Sequence, residues 1–366
     1  MVQKYGEEDA EGDHGNAEEL AERLFGSALG AMEMYTVYLG ERLGLYAALA
    51  EHGPCTSEEL AGIAGVHPRY SREWLEQQSV AGFVHCSDRT QPAHARQFEL
   101  PVEHVPVLLD PSSPVYTASL ALAVTGVGGV ATQLVEAYRT GAGVPYAAYG
   151  TDFRDGQAGF NRPAFDSLLA GEWLSVAVPE VHARLVAGEP VTIADIGCGA
   201  GWSSIALARA YPRARVDGFD LDDASIADAR RNAASVGVAD RVRFEVADAA
   251  DLPASSYDLV CILEALHDMS APVAALSAAR AMAPITIVMD ERTADSFAES
   301  AGPVEAFLYG ASVLHCLPVG MAAQPSAATG TVMRVETMHE YATAAGFERV
   351  EVLPIEHDLF RFYRCT

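Results

Sequence analysis

Positive charge is scarce in this chain of 366 residues: 24 Lys plus Arg stand against 50 Asp plus Glu, a formal net charge of −26. Sequence-independent binding to nucleic acid or to an anionic membrane needs a positive surface, so both partners are disfavoured. Cysteine is sparse and unpaired. The six residues (Cys55, Cys86, Cys198, Cys261, Cys316 and Cys365) are scattered with no Cys-x-x-Cys pair. That argues against zinc and redox sites and fits a reducing cytoplasm. No apolar run approaches the ~18 residues of a membrane span. The polar, acidic opening MVQKYGEEDAEGDHGN lacks the hydrophobic stretch of a secretory signal.

What is present is a chain long enough for two domains and half apolar, which supplies a sizeable core. It is organised around residues 191–201. Val191–Ile196 is a short β-branched apolar run and predicts a buried parallel strand. Gly197, Gly199 and Gly201 follow at alternate positions, and Trp202–Tyr211 predicts a helix. Such a turn lets backbone approach a ligand, and the helix N-terminus adds unpaired N–H groups facing the same point. A dinucleotide site uses a similar turn, but its Gly-x-Gly-x-x-Gly spacing fails here, with Trp202 where the third glycine belongs.

The run Asp195-Ile-Gly197-Cys-Gly199-Ala-Gly201 resembles motif I of the class I S-adenosylmethionine methyltransferases. Arg215–Asp220 predicts a second strand ending in Asp220, 19 residues after Gly201; a carboxylate there accepts the two ribose hydroxyls of an adenosine. Asp222 suits the start of the next helix, Ala224–Val236. A third strand, Arg241–Ala247, delivers Asp248, which the resemblance places beside the adenine amino group; Leu221 and Ala249 flank these acids as further expected cofactor contacts. Tyr257–Leu263 and Ile285–Asp290 predict the fourth and fifth strands, and Arg349–Leu353 with Leu359–Tyr363 an antiparallel hairpin. The expected fold is an α/β, Rossmann-like seven-stranded sheet over residues 186–366. One departure is the turn Met282-Ala-Pro284-Ile285, which has no glycine where the family usually has a longer Pro-Gly-Gly turn.

Residues 1–17 are charged and predict a disordered tail. From Glu18 to Ala50 the apolar spacing is helical, with Gly26, Gly30, Gly40 and Gly44 breaking it or permitting close packing, and it predicts a dimer interface. Thr56-Ser-Glu-Glu59 is a capping box, Pro68 opens a helix over Arg69–Ala81, and Phe83–Cys86 with Gln97–Leu100 predict two short strands. Helix, turn, helix and wing describe a winged helix spanning 18–110. Its second helix carries Glu73 and Glu76 beside Arg69 and Arg72, too little basic excess for a phosphate-facing helix. A winged helix ahead of such a sheet resembles the small-molecule O-methyltransferases, in which this domain dimerises. More closely it is similar to actinobacterial methyltransferases with an N-terminal winged helix, often labelled regulators. ERLGLYAALAEHG, RYSREWLEQQ, GQAGFNRPAF, GFDLDDASI, EALHDM and HCLPVGMAAQPSAATGTVMR carry that resemblance.

Residues 111–185 read as a helical linker and lid, with Tyr149 and Asn161 expected to touch the cofactor. Residues 301–334 read as a substrate-wall insertion, with Tyr309, His315 and Met321 as contacts, and His357 as a further one. Methyl transfer to a hydroxyl needs alignment and removal of one proton. The resemblance makes His267, in Leu-His-Asp-Met269, the general base, with Met269 replacing the family's Trp; His315 and His357 are reserve candidates, and Glu264 is placed either to take a proton or to bind the cofactor's ammonium. No clear metal-ligand cluster shows in the sequence. The expectation is therefore a homodimeric, cytoplasmic enzyme that uses S-adenosylmethionine to methylate a small molecule, first on oxygen. N- or C-methylation, or a regulator that only senses the cofactor, stay open; a nicotinamide-linked oxidoreductase is disfavoured by Trp202.

Overall fold

The computed structural model describes residues 16–298 and 302–366, so the acidic tail lies outside the described residues up to position 15. Asn16 is ordered as an N-cap. Its side chain accepts from the Glu18 and Glu19 amides, and Glu19 reaches back to the Asn16 amide. The first helix therefore starts at Ala17. The chain divides into two compact units, Met1–His104 and Val105–Thr366. The boundary falls six residues before the expected one, because the amides of Thr117 and Ala118 bond back to the Val107 carbonyl and tie Val107 into the second unit.

In the first unit, α1 (Ala17–Arg42) runs unbroken through Gly26 and Gly30. The break comes at Gly44, whose φ of 66° is left-handed and starts α2 (Leu45–His52). Gly40 serves close packing instead, since a Cβ there would lie 2.7 Å from the Trp74 ring. The predicted capping box Thr56/Glu59 forms and opens α3 (Ser57–Ala64). His67 caps α4 (Pro68–Val80) by accepting the Arg69 amide at Nδ1. Trp74 Nε1 donates to the Thr36 carbonyl at 2.9 Å, holding α4 on α1. The wing is shorter than expected: β1 (His85–Cys86) pairs antiparallel with β2 (Phe98–Glu99).

The second unit is built on a seven-stranded sheet in the order β5-β4-β3-β6-β7-β9-β8. The strands are β3 (Val191–Ile196), β4 (Ala214–Asp220), β5 (Val242–Val246), β6 (Leu259–Leu263), β7 (Thr286–Glu291), β8 (Val350–Val352) and β9 (Phe360–Cys365). β3 to β7 pair in parallel and β9 is antiparallel to both neighbours. Every residue of β6 and β7 is buried, as a parallel sheet covered on both faces requires. The glycine-free turn before β7 is short: the helix Pro272–Met282 is followed after three residues by Thr286. From β3 the chain steps outward through β4 and β5, then returns to β6 on the other side. That reversal opens a crevice beyond the carboxyl ends of β3 and β6, where ligands of such sheets bind.

One helix, Gly150–Ala164, covers the crevice and a second backs it. The helices Ser119–Gly129 and Gly150–Ala164 pack at backbone distance. A Cβ on Gly126 would lie 2.5 Å from Phe153 Cβ, and one on Gly156 would collide with the Ala123 backbone. Past Pro163 the helix Gly150–Ala164 continues as a π-helical stretch, Phe165–Trp173. Pro163 lacks the N–H that an α-helical turn would use, and π turns often mark functional sites.

Candidate active site

Beyond the carboxyl ends of β3, β4 and β6 lies a cavity of 470 Å³. The loop after β3 is its floor. Gly197 and Cys198 donate their amides to the Phe219 carbonyl at 2.8 and 3.1 Å, and Asn232 Nδ2 holds the Ala200 carbonyl at 3.0 Å. Gly197, Gly199 and Gly201 all have left-handed φ, which a side chain would strain. Asp220, at the end of β4, accepts from the Gly199 and Asp222 amides at 2.8 and 2.9 Å. Burial raises its pKa to about 6, against those two N–H bonds. Asp248 lines the far end and caps a short turn through the Ala250 amide.

Of the expected cofactor contacts, Gly197, Gly199, Asp220, Leu221, Asp248, Ala249, Glu264 and Asn161 line the cavity. Asp195 does not: it is buried under the loop, where Ser203 and Ser204 both donate to its Oδ2 at 2.6 Å. It anchors the first turn of the helix Trp202–Ala210. Gly201 is also set back, against Phe244, and begins that helix. Tyr149 is buried in an aromatic cluster, its hydroxyl donating to the Leu314 carbonyl at 2.8 Å. Sequence reasoning missed Arg154, Gln157, Ala158 and Phe165, which line the cavity along with Asn161 and Trp202. Their three- and four-residue spacing puts them on one face of the lid helix, a signal the sequence does contain. Arg154 Nε lies 3.9 and 3.6 Å from Asp222 and Asp228, and Arg162 stacks on the Trp202 ring at 3.7 Å.

At the other end of the cavity, Asn161 Nδ2 donates to Glu264, whose φ of 57° is unusual for a non-glycine residue at a strand end. Asn161 Oδ1 is buried without a hydrogen-bond partner among the described residues. Burial, against the neighbouring His267 charge, raises the Glu264 pKa to about 7, and Glu291 is held well above its usual range by burial and by Glu264. Asp268 and Met269 line the wall. His267 stands directly behind it, 2 % exposed, with Nδ1 2.9 Å from Asp290 and Nε2 3.3 Å from Asp268. Burial opposes its charge, but Asp290 and Asp268 outweigh burial and push its pKa well above 6.5.

The expected substrate contacts are mostly elsewhere. His357 accepts the Leu359 and Phe360 amides at 3.2 Å and stacks on Phe360 in the connection before β9; it is a turn residue. Tyr309 accepts from Arg334 Nη2 at 3.0 Å and does not line the cavity. His315 is stacked on Phe153 at 4.2 Å within the buried aromatic cluster. Met321 itself is off the wall, while Val319, Ala322 and Ala323 are on it. The segment thus contributes small apolar surface to the cavity: His315 and Met333 are buried away from it, and Phe307, Val313 and Leu314 are exposed to solvent.

Two family models match the chain: a methyltransferase domain over residues 193–284 and an Rv2258c-like winged HTH domain over residues 29–109. Among curated relatives, 27-O-demethylrifamycin SV methyltransferase of Amycolatopsis mediterranei is 42% identical over 77 residues, 20% of this chain and 28% of that one. Release factor glutamine methyltransferase of Moorella thermoacetica is 43% identical over 75 residues, 20% of this chain and 26% of that one. The chain thus spans about a quarter of the length of the curated relatives it matches. Among solved structures, human N-acetylserotonin methyltransferase in complex with S-adenosylmethionine superposes with a TM-score of 0.68 at 18% identity, over 97% of this chain and 99% of that one. Mitomycin 7-O-methyltransferase gives 0.64 at 21%, over 96% and 99%. The chain carries a class I S-adenosylmethionine-dependent methyltransferase domain behind a winged-helix domain.

Proposed function

We propose that this protein transfers a methyl group from S-adenosylmethionine to a hydroxyl group of a small molecule. One observation carries the reading: a single cavity has the Asp220 carboxylate at one end and, at the other, Asp268 backed by the buried His267–Asp290 pair. Bound S-adenosylmethionine supplies a methyl group already activated by a sulfonium. The residues present fit that group. Gly199 leaves open space where a Cβ would stand, and the unpartnered Asn161 Oδ1 offers an acceptor beside Glu264. Asp220 would accept the ribose hydroxyls, Asp248 would meet the adenine amino group, and Asn161 with Glu264 would hold the ammonium.

In its neutral form His267 would receive the acceptor's proton at Nε2 by way of Asp268, which lines the cavity 3.3 Å in front of the ring; the raised pKa of the ring favours this step toward higher pH. Asp290 fixes the ring through Nδ1, and both Asp290 and Asp268 stabilise the positive charge the ring then carries. The choice of oxygen is supported by that dyad, since an amine or carbon nucleophile has less need of a base. It is supported further by the solved mitomycin 7-O-methyltransferase, whose name states its acceptor atom. A homodimer formed through the apolar face of α1 belongs to the same reading.

Titration of the purified chain with S-adenosylhomocysteine tests it. Micromolar binding that is lost in Asp220→Ala is the expected result, followed by turnover of phenolic acceptors. No binding at millimolar ligand overturns the reading.

A further inference from the structure

We propose that His267, Asp268 and Cys316 form a zinc(II) site at the acceptor end of the cavity. The two halves of the site come from distant segments. His267 and Asp268 follow β6, and Cys316 sits in the π-helical turn Ser312–Cys316. Imidazole nitrogen, carboxylate oxygen and cysteine sulfur all lie within 4.8 Å of one another. That mixed nitrogen, oxygen and sulfur set is the one zinc takes, and three protein ligands with an open fourth position is a common arrangement for it.

Cys316 is hydrogen-bonded to His267 and Thr331, but one ligand oxygen of the trio is left over. Nε2 of His267 is 3.3 Å from Asp268 Oδ1, yet that oxygen has no hydrogen-bond partner among the described residues. Two ligands bound tetrahedrally at ~2.0–2.2 Å from zinc stand roughly 3.3–3.5 Å apart, so this separation already suits a shared ion. The ring's other nitrogen faces Asp290 at 2.9 Å, the carboxylate–histidine support that fixes a metal-bound imidazole. His315 Nδ1 lies 3.4 Å from the Cys316 sulfur and orients it.

Charge favours a cation as well. Asp268 and Asp290 flank His267 on either side, and Asp290 Oδ2 is buried without a hydrogen-bond partner among the described residues. Buried polar atoms are rarely left so. The cavity gives an ion a way in, because Asp268 lines its wall. Binding releases the thiol proton to solvent as sulfur joins the metal. It also occupies the Nε2 lone pair, so on the reading above, zinc inhibits methyl transfer; the site itself does not depend on that reading.

The test uses the full chain, stripped with a chelator and titrated with cobalt(II) as a spectroscopic probe for zinc. One equivalent should bind with a thiolate-to-cobalt charge-transfer band in the near ultraviolet, and zinc should displace it. Cys316→Ser should lose the band and Cys55→Ser should keep it. Each variant is also titrated with S-adenosylhomocysteine. Retained binding shows an intact fold, while a wild-type cobalt band without that binding would sink the methyltransferase reading and leave the metal site standing. X-ray absorption on the zinc-loaded wild type should show one sulfur among nitrogen and oxygen neighbours, and it decides alone if Cys316→Ser fails to fold. No cobalt band in the wild type, a band that survives in Cys316→Ser, or a sulfur-free zinc shell overturns the proposal.

Discussion

Nδ1 of His267 lies 2.9 Å from Asp290 Oδ1, with both residues almost fully buried behind the cavity wall. Asp290 Oδ1 also accepts the Glu291 amide, so the carboxylate is fixed before it fixes the ring. If His267 is the base, His267→Asn should lower turnover by ~10²–10⁴-fold, the usual contribution of a positioned base. Affinity for S-adenosylhomocysteine should be unchanged, because the ring does not line the cavity. Asp290→Asn removes orientation rather than the base. It should lower kcat with little change in the KM for the methyl donor. Full turnover in His267→Asn would remove the base assignment.

Asp220 accepts two backbone amides and still faces the cavity, and burial places its pKa at about 6. The ionised carboxylate is the better acceptor for ribose hydroxyls, and it predominates above that value. Cofactor affinity should therefore be full at pH 8 and decline as pH falls through about 6. Asp220→Asn should weaken binding at neutral pH by ~1.5–3 kcal/mol, the range for hydrogen bonds to a charged group, and should flatten the profile. Calorimetric titration at several pH values reads both. A wild-type affinity that does not vary from pH 5 to 8 would contradict the role given to Asp220.

The sheet was legible because each parallel strand is a short β-branched run ending in an acid or a glycine, and the ends of β3, β4 and β6 are where the chemistry sits. Strand ends shifted by one or two residues, as with β9, which runs to Cys365 rather than Tyr363. The substrate wall was less legible. His315 and Tyr149 are types that line pockets, and only packing shows them facing each other at 4.8 Å. Asp195 has the same limit. Its side chain could point to solvent, ligand or helix, and Ser203 and Ser204, at the start of the next helix, decide for the helix. The lid stripe Arg154, Gln157, Asn161 was present in the spacing but carries no fixed motif.

The lid helix owes its position to Gly156. A Cβ there meets the backbone of Ala123, which cannot turn aside as a flexible side chain would. Gly156→Ala should destabilise the protein by ~1–3 kcal/mol, the usual cost of overpacking. It should also weaken S-adenosylhomocysteine binding, because Gln157 and Ala158 move with the helix. Gly171→Ala, where a Cβ meets nothing within 4 Å, is the control and should stay within ~0.5 kcal/mol of wild type. Thermal unfolding of both variants reads the difference, and equal melting temperatures would refute the packing argument.

The N-terminal part of α1 presents Leu20, Leu24, Phe25, Leu29 and Met32 to solvent, with Phe25 74 % and Leu24 62 % exposed. Single exposed leucines are ordinary, but a continuous apolar stripe on a helix is the mark of an association surface. The helix is well capped and 26 residues long, so the stripe is rigid enough to pair with a copy of itself. Each fully covered Leu or Phe contributes ~1.5–3 kcal/mol, so a few such side chains on each protomer exceed the cost of association for a micromolar dimer. Light scattering after gel filtration should find twice the mass of one chain at micromolar concentration. Leu24→Glu with Phe25→Glu buries charge at the centre of that face and should give the single-chain mass with S-adenosylhomocysteine binding retained. A monomeric wild type, or a double variant that stays dimeric, would place the interface elsewhere and leave the exposed stripe of α1 for another partner.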